Sequence, residues 1–159
     1  SPFIVGGPQE WGIRAGTENI PAIMGFAKAL QVIEKDLAPS LASIRRLRDD
    51  FEKKLLTHLP NIAINGAYDR VANTSNIMFG GVDGEALLIK LDLLGLSVSH
   101  GAACASGARE PSRVLLNMGL TREEASSSIR FSLAKNTTQD EIDIAVSWIV
   151  KCVEQQRKM

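Results

Sequence analysis

The chain has 159 residues, the size of one domain or of a domain with an appendage, and it can bury enough surface to fold without a disulfide or a metal. Its 18 basic and 18 acidic residues cancel, which argues against a nucleic-acid surface or an anionic membrane surface, because both attract a strong positive excess. No apolar run approaches the ~18 residues that a membrane span needs. The two cysteines, Cys104 and Cys152, have no metal-ligand spacing. The sequence therefore predicts neither a metal site nor a disulfide scaffold, and it favours a reducing compartment.

The first third of the chain predicts a loop followed by two helices. Residues 1–18 contain four glycines and no clean periodicity, so we expect an extended loop there. Asn19 can cap the next helix, and apolar residues at helical spacing predict that this helix continues to about Lys35. Pro39 and Ser40 are expected to break it and to start a second helix. The apolar face of the second helix is expected to carry Leu41, Ile44, Leu47, Phe51 and Leu55.

The rest of the chain alternates short strands with helices. We expect strands at 61–66, 75–80, 96–99 and 128–133, and helices at 84–94, from Pro111 to Met118, after Thr121 and after Thr138. Asp83 is a predicted helix cap, Gly95 is a predicted left-handed helix end, and Thr121 and Thr138 each begin a capping box. The last helix is expected to turn inward Ile142, Ala145, Val146, Ile149 and Val153. This order predicts an α+β fold, in which a short and mostly antiparallel sheet packs against helices.

Cys104 is the first candidate functional residue, because it lies in a loop of small residues that offers little apolar bulk to bury it. The alternative is that Cys104 is a small hydrophobe packed beneath the loop, which is the usual state of a lone cysteine. A free thiol with a pKa of ~8.5 is only about 3% thiolate at pH 7. Reactive chemistry would therefore need a positive neighbour, a base or a helix N-terminus, and His100 and the helix start near Pro111 are the local choices. Cys152 lies beside apolar helix positions, so we expect it in the core.

Two further features are open to a functional or a structural interpretation. Arg130 is predicted on the polar face of a strand and flanked by serines, where it can be an ion-pair partner or a clamp for a carboxylate. Gly16 and Thr17 precede the first helix, where they can hold a phosphate through N–H groups and a hydroxyl, or simply take part in helix capping. His58 ends a helix and is expected to be exposed.

Several segments of the chain, taken in order, follow the pattern of one known family. They are 6–10 (GGPQE), 14–19 (RAGTEN), 98–107 (VSHGAACASG), 110–112 (EPS) and 127–133 (SSIRFSL). Together they resemble the C-terminal portion of the NifS/IscS-like cysteine desulfurases. These are pyridoxal-phosphate enzymes of fold type I, in the class-V aminotransferase group.

The resemblance implies a role for each candidate residue. Cys104 matches the nucleophile that takes sulfur from L-cysteine and holds it as a persulfide, releasing L-alanine. Arg130 matches the arginine that binds the substrate carboxylate. Thr17, with Gly16 beside it, matches a threonine that reaches the cofactor phosphate of the partner subunit in a homodimer. The long loop around Cys104 matches the group that passes sulfur to iron–sulfur scaffold proteins or tRNA-thiolation enzymes. We expect no metal site in the chain itself.

The chain also departs from the family pattern. Pro8 and Trp11 stand where the family usually has glycine and often arginine, and His100 and Ala102 stand where serine is common. None of the eight lysines lies in the serine–histidine–lysine setting of the family's Schiff-base lysine. We therefore expect residues 1–18 to be a loop at the cofactor-domain and dimer interface, and residues 19–159 to be the small C-terminal domain with its connecting helix.

That division leads to several expectations about the isolated chain. It should be inactive, hold no pyridoxal phosphate, and dissolve poorly or self-associate, because the leading loop and first helix would normally be covered. The bacterial cytoplasm is the expected compartment, with an organelle as the alternative. Two other functions remain open: another class-V enzyme, such as a selenocysteine lyase or an aminotransferase, and a non-enzymatic module that accepts sulfur or docks a scaffold.

Overall fold

The computed structural model describes residues 1–66, 70–101 and 111–158, which form two compact units, Ser1–Leu37 and Ala38–Met159. Five helices and four strands are described, in the following order along the chain: α1 (Ile20–His58), β1 (Ile62–Ile64), β2 (Thr74–Phe79), α2 (Gly84–Leu93), β3 (Ser99–His100), α3 (Arg113–Asn117), α4 (Arg122–Ser126), β4 (Ser128–Ser132) and α5 (Gln139–Arg157). No helix in the described part of the chain is long and apolar enough to cross a membrane. The predicted assignment of 1–18 and 19–159 to different parts of an enzyme stays a prediction.

The leading loop of the first unit is irregular, as predicted, apart from a short 3₁₀ turn at Gln9–Gly12. Within this turn Glu10 and Trp11 have φ of 51° and 59°, a left-handed conformation that non-glycine residues seldom adopt. A parallel bridge joins Ile4 to Arg14 and closes the loop on itself. The predicted cap of α1 is confirmed, since the Ala22 N–H donates to the Asn19 side-chain oxygen at 3.1 Å.

The predicted helix break at Pro39 is wrong, because α1 runs through the proline as one helix of 39 residues. A proline inside a helix removes one backbone hydrogen bond, here the bond that the Lys35 carbonyl would accept. Lys35 is exposed, so water can satisfy that carbonyl at little cost. The sequence before the proline is rich in good helix formers, and the helix after it is held by buried side chains. The boundary between the two units nevertheless falls beside the proline, after Leu37.

The second unit contains an antiparallel four-stranded sheet in the order β1-β2-β4-β3, which confirms the predicted sheet type. Ile77 pairs with Ile129, and Ser75 pairs with Phe131. The third strand is shorter than predicted and begins later, at Ser99. It makes only two residue pairs with β4, so the preceding residues are left outside the ladder.

The core lies between one face of the sheet and the helices α1, α2 and α5. The Phe131 ring packs edge-on against Phe51, with ring centroids 5.0 Å apart, and against Phe79 at 6.3 Å. All five residues predicted on the inner side of the last helix are buried, and so is Cys152. On α1 four of the five predicted core positions are buried, whereas Leu41 is 43% exposed.

Helix ends in the second unit follow the sequence signals. Asp83 caps α2, and both Thr121 and Thr138 form the predicted capping boxes. At the far end of α5 the Arg157 side chain donates to three carbonyls, those of Pro60, Asn61 and Gly80, at 2.7 to 3.0 Å. These bonds fasten the end of the last helix to the two ends of the β1–β2 hairpin.

Candidate functional site

Arg130 lies at the centre of the sheet, on the face opposite the core. Its strand neighbours Ile129 and Phe131 are buried among the helices, and side chains alternate along a strand, so the Arg130 side chain points to the other face. Asn76 on β2 and Ser99 on β3 are its direct partners in the two flanking ladders. Directly opposite residues of antiparallel strands share a face, which places an amide and a hydroxyl on either side of the guanidinium. All three residues are partly exposed.

The structural alternative for Arg130 was an ion pair, and the described residues provide none. Arg48, Lys54 and Arg70 do form ion pairs, with acidic residues of α1 and α5. A half-buried guanidinium with its donors uncommitted in the described part of the chain is suited to a planar anion, because two parallel N–H groups match the two oxygens of a carboxylate.

A chain of hydrogen bonds lies beside Arg130 on the same face of the sheet. The Ser128 hydroxyl donates to the Glu124 carbonyl at 2.6 Å, the Asn65 side-chain Nδ2 donates to Ser128 Oγ at 3.0 Å, and the same Nδ2 donates to Asn76 Oδ1 at 2.7 Å. Ser128 is 1% exposed, so this end of the chain is fixed in the interior. The sequence pattern did not single out Asn65, Asn76 or Ser128, because only the strand register brings them beside Arg130.

The Gly16–Thr17 step belongs to the first unit and immediately precedes the capped start of α1. Gly16 has φ of +101°, a conformation that suits glycine. The Arg14 guanidinium donates to the carbonyls of both residues, at 2.7 and 3.3 Å, and Gly16 N–H donates to Gln9 Oε1 at 3.2 Å. Thr17 is exposed. Of the groups predicted to bind a phosphate, the Gly16 N–H is therefore engaged within the loop, whereas the Thr17 hydroxyl faces solvent.

Cys104 lies outside the described residues, and its predicted roles stay predictions. His100, the proposed neighbour, ends β3 with its Nε2 2.7 Å from the Ser126 carbonyl. A carbonyl only accepts, so Nε2 carries a proton. Gly84 makes room for this contact, since a Cβ on it would come within 2.3 Å of the Ser126 oxygen and 2.8 Å of the His100 ring. His58 is exposed, as expected.

The second cysteine has the properties of a core residue. Cys152 is 4% exposed, and burial raises the pKa of its thiol above the ordinary value. Its thiolate fraction near neutral pH is correspondingly small, so it is a poor nucleophile. In the described part of the chain, no group of three or more acidic, histidine or cysteine side chains could hold a metal ion.

The fold is an α+β unit that presents Arg130 on the open face of its sheet, and comparison with known proteins identifies its family. The sequence profile described as Aminotransferase class-V matches residues 6–144, so the chain belongs to the class-V aminotransferase family. The relatives described next confirm the resemblance to NifS/IscS-like proteins.

Two curated relatives and one solved structure illustrate the similarity. A cysteine desulfurase from Trichormus azollae is 42% identical over 159 residues, covering 99% of this chain and 40% of that protein. A cysteine desulfurase IscS from Clostridium botulinum is 37% identical over 160 residues, covering 99% of this chain and 40% of that protein. The X-ray structure of a NifS-like protein from Rickettsia africae ESF-5 has a TM-score of 0.77 at 34% identity, covering 100% of this chain and 40% of its own. The chain thus spans about 40% of the length of these proteins.

Pyridoxal phosphate is the cofactor of this family. The first unit offers one group that fits its phosphate, the exposed Thr17 hydroxyl, which follows a glycine in a loop cross-braced by Arg14 and Gln9. A hydroxyl donor on a braced loop ahead of a helix is a chemically suitable phosphate contact. The first unit therefore fits the cofactor phosphate through one contact, the Thr17 hydroxyl.

Proposed function

We propose that this chain is the C-terminal part of a cysteine desulfurase, which converts L-cysteine to L-alanine and a persulfide on Cys104 when it is joined to a cofactor domain. The observation that carries the proposal is Arg130, a half-buried guanidinium at the centre of a sheet with no acidic partner among the described residues. Relatives named cysteine desulfurase, aligned over 99% of the chain, support the choice of reaction within the family.

In this proposal Arg130 binds the substrate through its carboxylate. Two parallel hydrogen bonds to one carboxylate fix both the position and the plane of an amino acid, so its side-chain sulfur is presented in a constant direction. A charge-assisted hydrogen bond contributes ~1.5–3 kcal/mol, which is roughly ten- to hundredfold in affinity. Thr17 contributes a hydroxyl to the phosphate of the partner subunit's cofactor in a homodimer.

The sulfur transfer itself is assigned to Cys104. Bound pyridoxal phosphate supplies the electron sink that labilises bonds at the amino-acid carbons. The Cys104 thiolate bonds to the substrate sulfur, the substrate C–S bond breaks with its electron pair left on carbon, and a proton on that carbon completes L-alanine. The products, alanine and a cysteine persulfide, balance without an external oxidant. An iron–sulfur scaffold protein or a tRNA-thiolation enzyme then accepts the sulfur, and the bacterial cytoplasm is the proposed compartment.

The full-length protein tests the proposal, with L-cysteine as substrate and with sulfide and alanine measured separately. Cys104→Ser should abolish sulfide release in the presence of a reductant, whereas Cys152→Ser is the matched control and should retain most of it, since the buried Cys152 has no role in transfer. Undiminished sulfide release by the Cys104→Ser protein would rule out the assignment. Arg130→Lys should raise KM for L-cysteine about tenfold or more, because an ammonium loses the bidentate contact.

A further inference from the structure

The cross-strand partner of Arg130, Asn76, is held in one amide orientation by groups that lead back to the protein interior. The Glu124 carbonyl can only accept, so the Ser128 hydroxyl proton is committed to it at 2.6 Å. Ser128 Oγ is then left as an acceptor for its other neighbour. The Asn65 atom that contacts it at 3.0 Å must therefore be the amide nitrogen, since an amide oxygen would find no proton there.

The orientation of the Asn65 amide in turn fixes that of Asn76. The Asn65 nitrogen carries two protons, and the second points to the Asn76 side chain at 2.7 Å, so the Asn76 atom facing it is the oxygen Oδ1. The Asn76 nitrogen Nδ2 therefore points away from Asn65. It has no hydrogen-bond partner among the described residues and is not sealed from solvent. We call Glu124, Ser128, Asn65 and Asn76 the amide relay.

We infer that Asn76 Nδ2 is a second donor to the substrate carboxylate, alongside the Arg130 guanidinium, and that the amide relay fixes its direction. This inference rests on the proposed function. Asn76 and Arg130 are directly opposite in the β2–β4 ladder, so their Cβ atoms lie about 4.5–5.5 Å apart on one sheet face. A carboxylate that accepts from the guanidinium has lone pairs left over, and a neutral amide N–H adds a donor without a competing charge. Asn76 is thus a residue that recognises the carboxylate, and Asn65 is a positioning residue that acts through it.

The inference is tested in the full-length protein by comparing two ligands, L-alanine and L-alaninamide, whose dissociation constants are followed by the visible absorbance of the holoenzyme. L-alaninamide has the same shape but a neutral amide in place of the carboxylate. Asn76→Ala should weaken L-alanine binding and raise KM for L-cysteine roughly tenfold, with kcat and L-alaninamide binding changed less than about twofold. The preference for L-alanine over L-alaninamide should therefore fall roughly tenfold, and a merely structural role would leave this ratio unchanged.

The relay is tested by Asn65→Ala, which frees the Asn76 amide to turn. KM for L-cysteine should rise about two- to fivefold, and the Asn65→Ala/Asn76→Ala double variant should match Asn76→Ala alone, because neighbours that act through one contact are not additive. If Asn76→Ala does not fold, Asn76→Asp serves instead, since it keeps the oxygen that accepts from Asn65 while it removes the donor and adds a repelling charge. The matched control is Thr74→Val, on the same face two residues away, which should leave both ligands unaffected.

The outcomes separate the inference from the proposed function. If Arg130→Lys lowers the L-alanine preference and the Asn76 variants do not, the role of Asn76 is wrong and the carboxylate site stands. Additive effects of Asn65→Ala and Asn76→Ala would overturn the relay. If Arg130→Lys leaves the preference unchanged as well, the carboxylate site itself is absent and the proposed function fails with it.

Discussion

Two serines on adjacent strands of the sheet are both buried, but only one of their hydroxyls forms hydrogen bonds with the described residues. Ser75 on β2 is 0% exposed and Ser128 on β4 is 1% exposed. Ser128 Oγ donates to the Glu124 carbonyl and accepts from Asn65, whereas Ser75 Oγ has no partner within the described residues. A buried polar atom without a partner costs about 1–3 kcal/mol of desolvation, while a satisfied one contributes to stability.

The two serines therefore predict opposite effects of the same substitution. Ser75→Ala should raise the free energy of unfolding by about 1 kcal/mol, because it removes an unsatisfied hydroxyl from the core. Ser128→Ala should lower it by about 1–3 kcal/mol, because it removes two buried hydrogen bonds, one to the Glu124 carbonyl and one from the Asn65 amide. Urea denaturation of the two variants measures both values. A loss of stability in Ser75→Ala equal to that in Ser128→Ala would contradict the account.

At the residue scale the sequence predicts those features that depend on near neighbours in the chain. The Asn19 cap and the capping boxes of Thr121 and Thr138 are confirmed, because each places an acceptor within three residues of the N–H groups it satisfies. Arg130 could be singled out from the alternation of its strand. Asn76 could not, since its role depends on which residue of β4 it faces, and strand register is set by tertiary packing.

At the element scale α1 carries charged side chains into its buried face. Arg48 and Glu52 are 6% and 8% exposed, although the helical pattern predicted only the apolar residues there. Glu52 forms two hydrogen bonds with the Arg70 guanidinium, at 2.7 and 2.9 Å, and Arg48 donates to the Val71 carbonyl at 2.8 Å. These contacts hold the chain that leads into β2 against the helix.

The contribution of the bidentate pair of Glu52 and Arg70 to stability can be measured against a matched control on the same helix. Glu52→Gln should lower the free energy of unfolding by about 1–3 kcal/mol, because it leaves the partly buried Arg70 without its counter-charge. Glu34→Gln makes the same change at an exposed position of the same helix, in a side chain that forms no ion pair with the described residues, and should cost less than about 1 kcal/mol. Denaturation at equal ionic strength compares them. Equal losses would show that the burial of Glu52 does not matter.

The pH dependence of this effect follows from the charge of Arg70. Its hydrogen bonds with Glu52 raise the pKa of Arg70 above its ordinary value. A cation whose pKa is raised in the folded state contributes its full stability below the unfolded pKa and loses it only as pH rises through the folded pKa. Both values lie far above neutrality, so the difference between wild type and Glu52→Gln should stay constant from pH 7 to pH 9.

The long helix also marks the limit of local rules at this scale. Pro39 is a strong local signal, yet the helix continues through it because helix formers lead up to it and buried side chains follow it. The local rule considers only the backbone hydrogen bond that the proline removes. The burial of a whole helix face stabilises the helix by more than that one bond. The pattern of β4 was more reliable, because its strict alternation reports directly which side chains enter the core.

At the scale of the whole molecule the two units differ in how far they bury their apolar side chains. The second unit has a cluster of buried hydrophobic side chains between sheet and helices. In the first unit, eight large apolar side chains of α1 are all about half exposed or more, namely Ile20, Ile23, Met24, Phe26, Leu30, Val32, Ile33 and Leu37. Five of these side chains, at positions 23, 26, 30, 33 and 37, recur at the spacing that places residues on one side of a helix, and an exposed apolar face of this kind is typical of a contact surface.

This exposed helix face predicts that the 159-residue chain self-associates, with a weight-average mass above 17.2 kDa that rises with concentration. Phe26 and Leu30 are 69% and 51% exposed, so the double substitution Phe26→Lys/Leu30→Lys should lower association without disturbing a core. The control Ala29→Lys/Gln31→Lys adds the same charge to the same helix while leaving the large apolar side chains in place. Sedimentation velocity distinguishes the two variants, because only the first should move towards a monomer. If both variants dissociate equally, charge repulsion governs the association and the apolar face does not, whereas a monomeric wild-type chain would contradict the prediction outright.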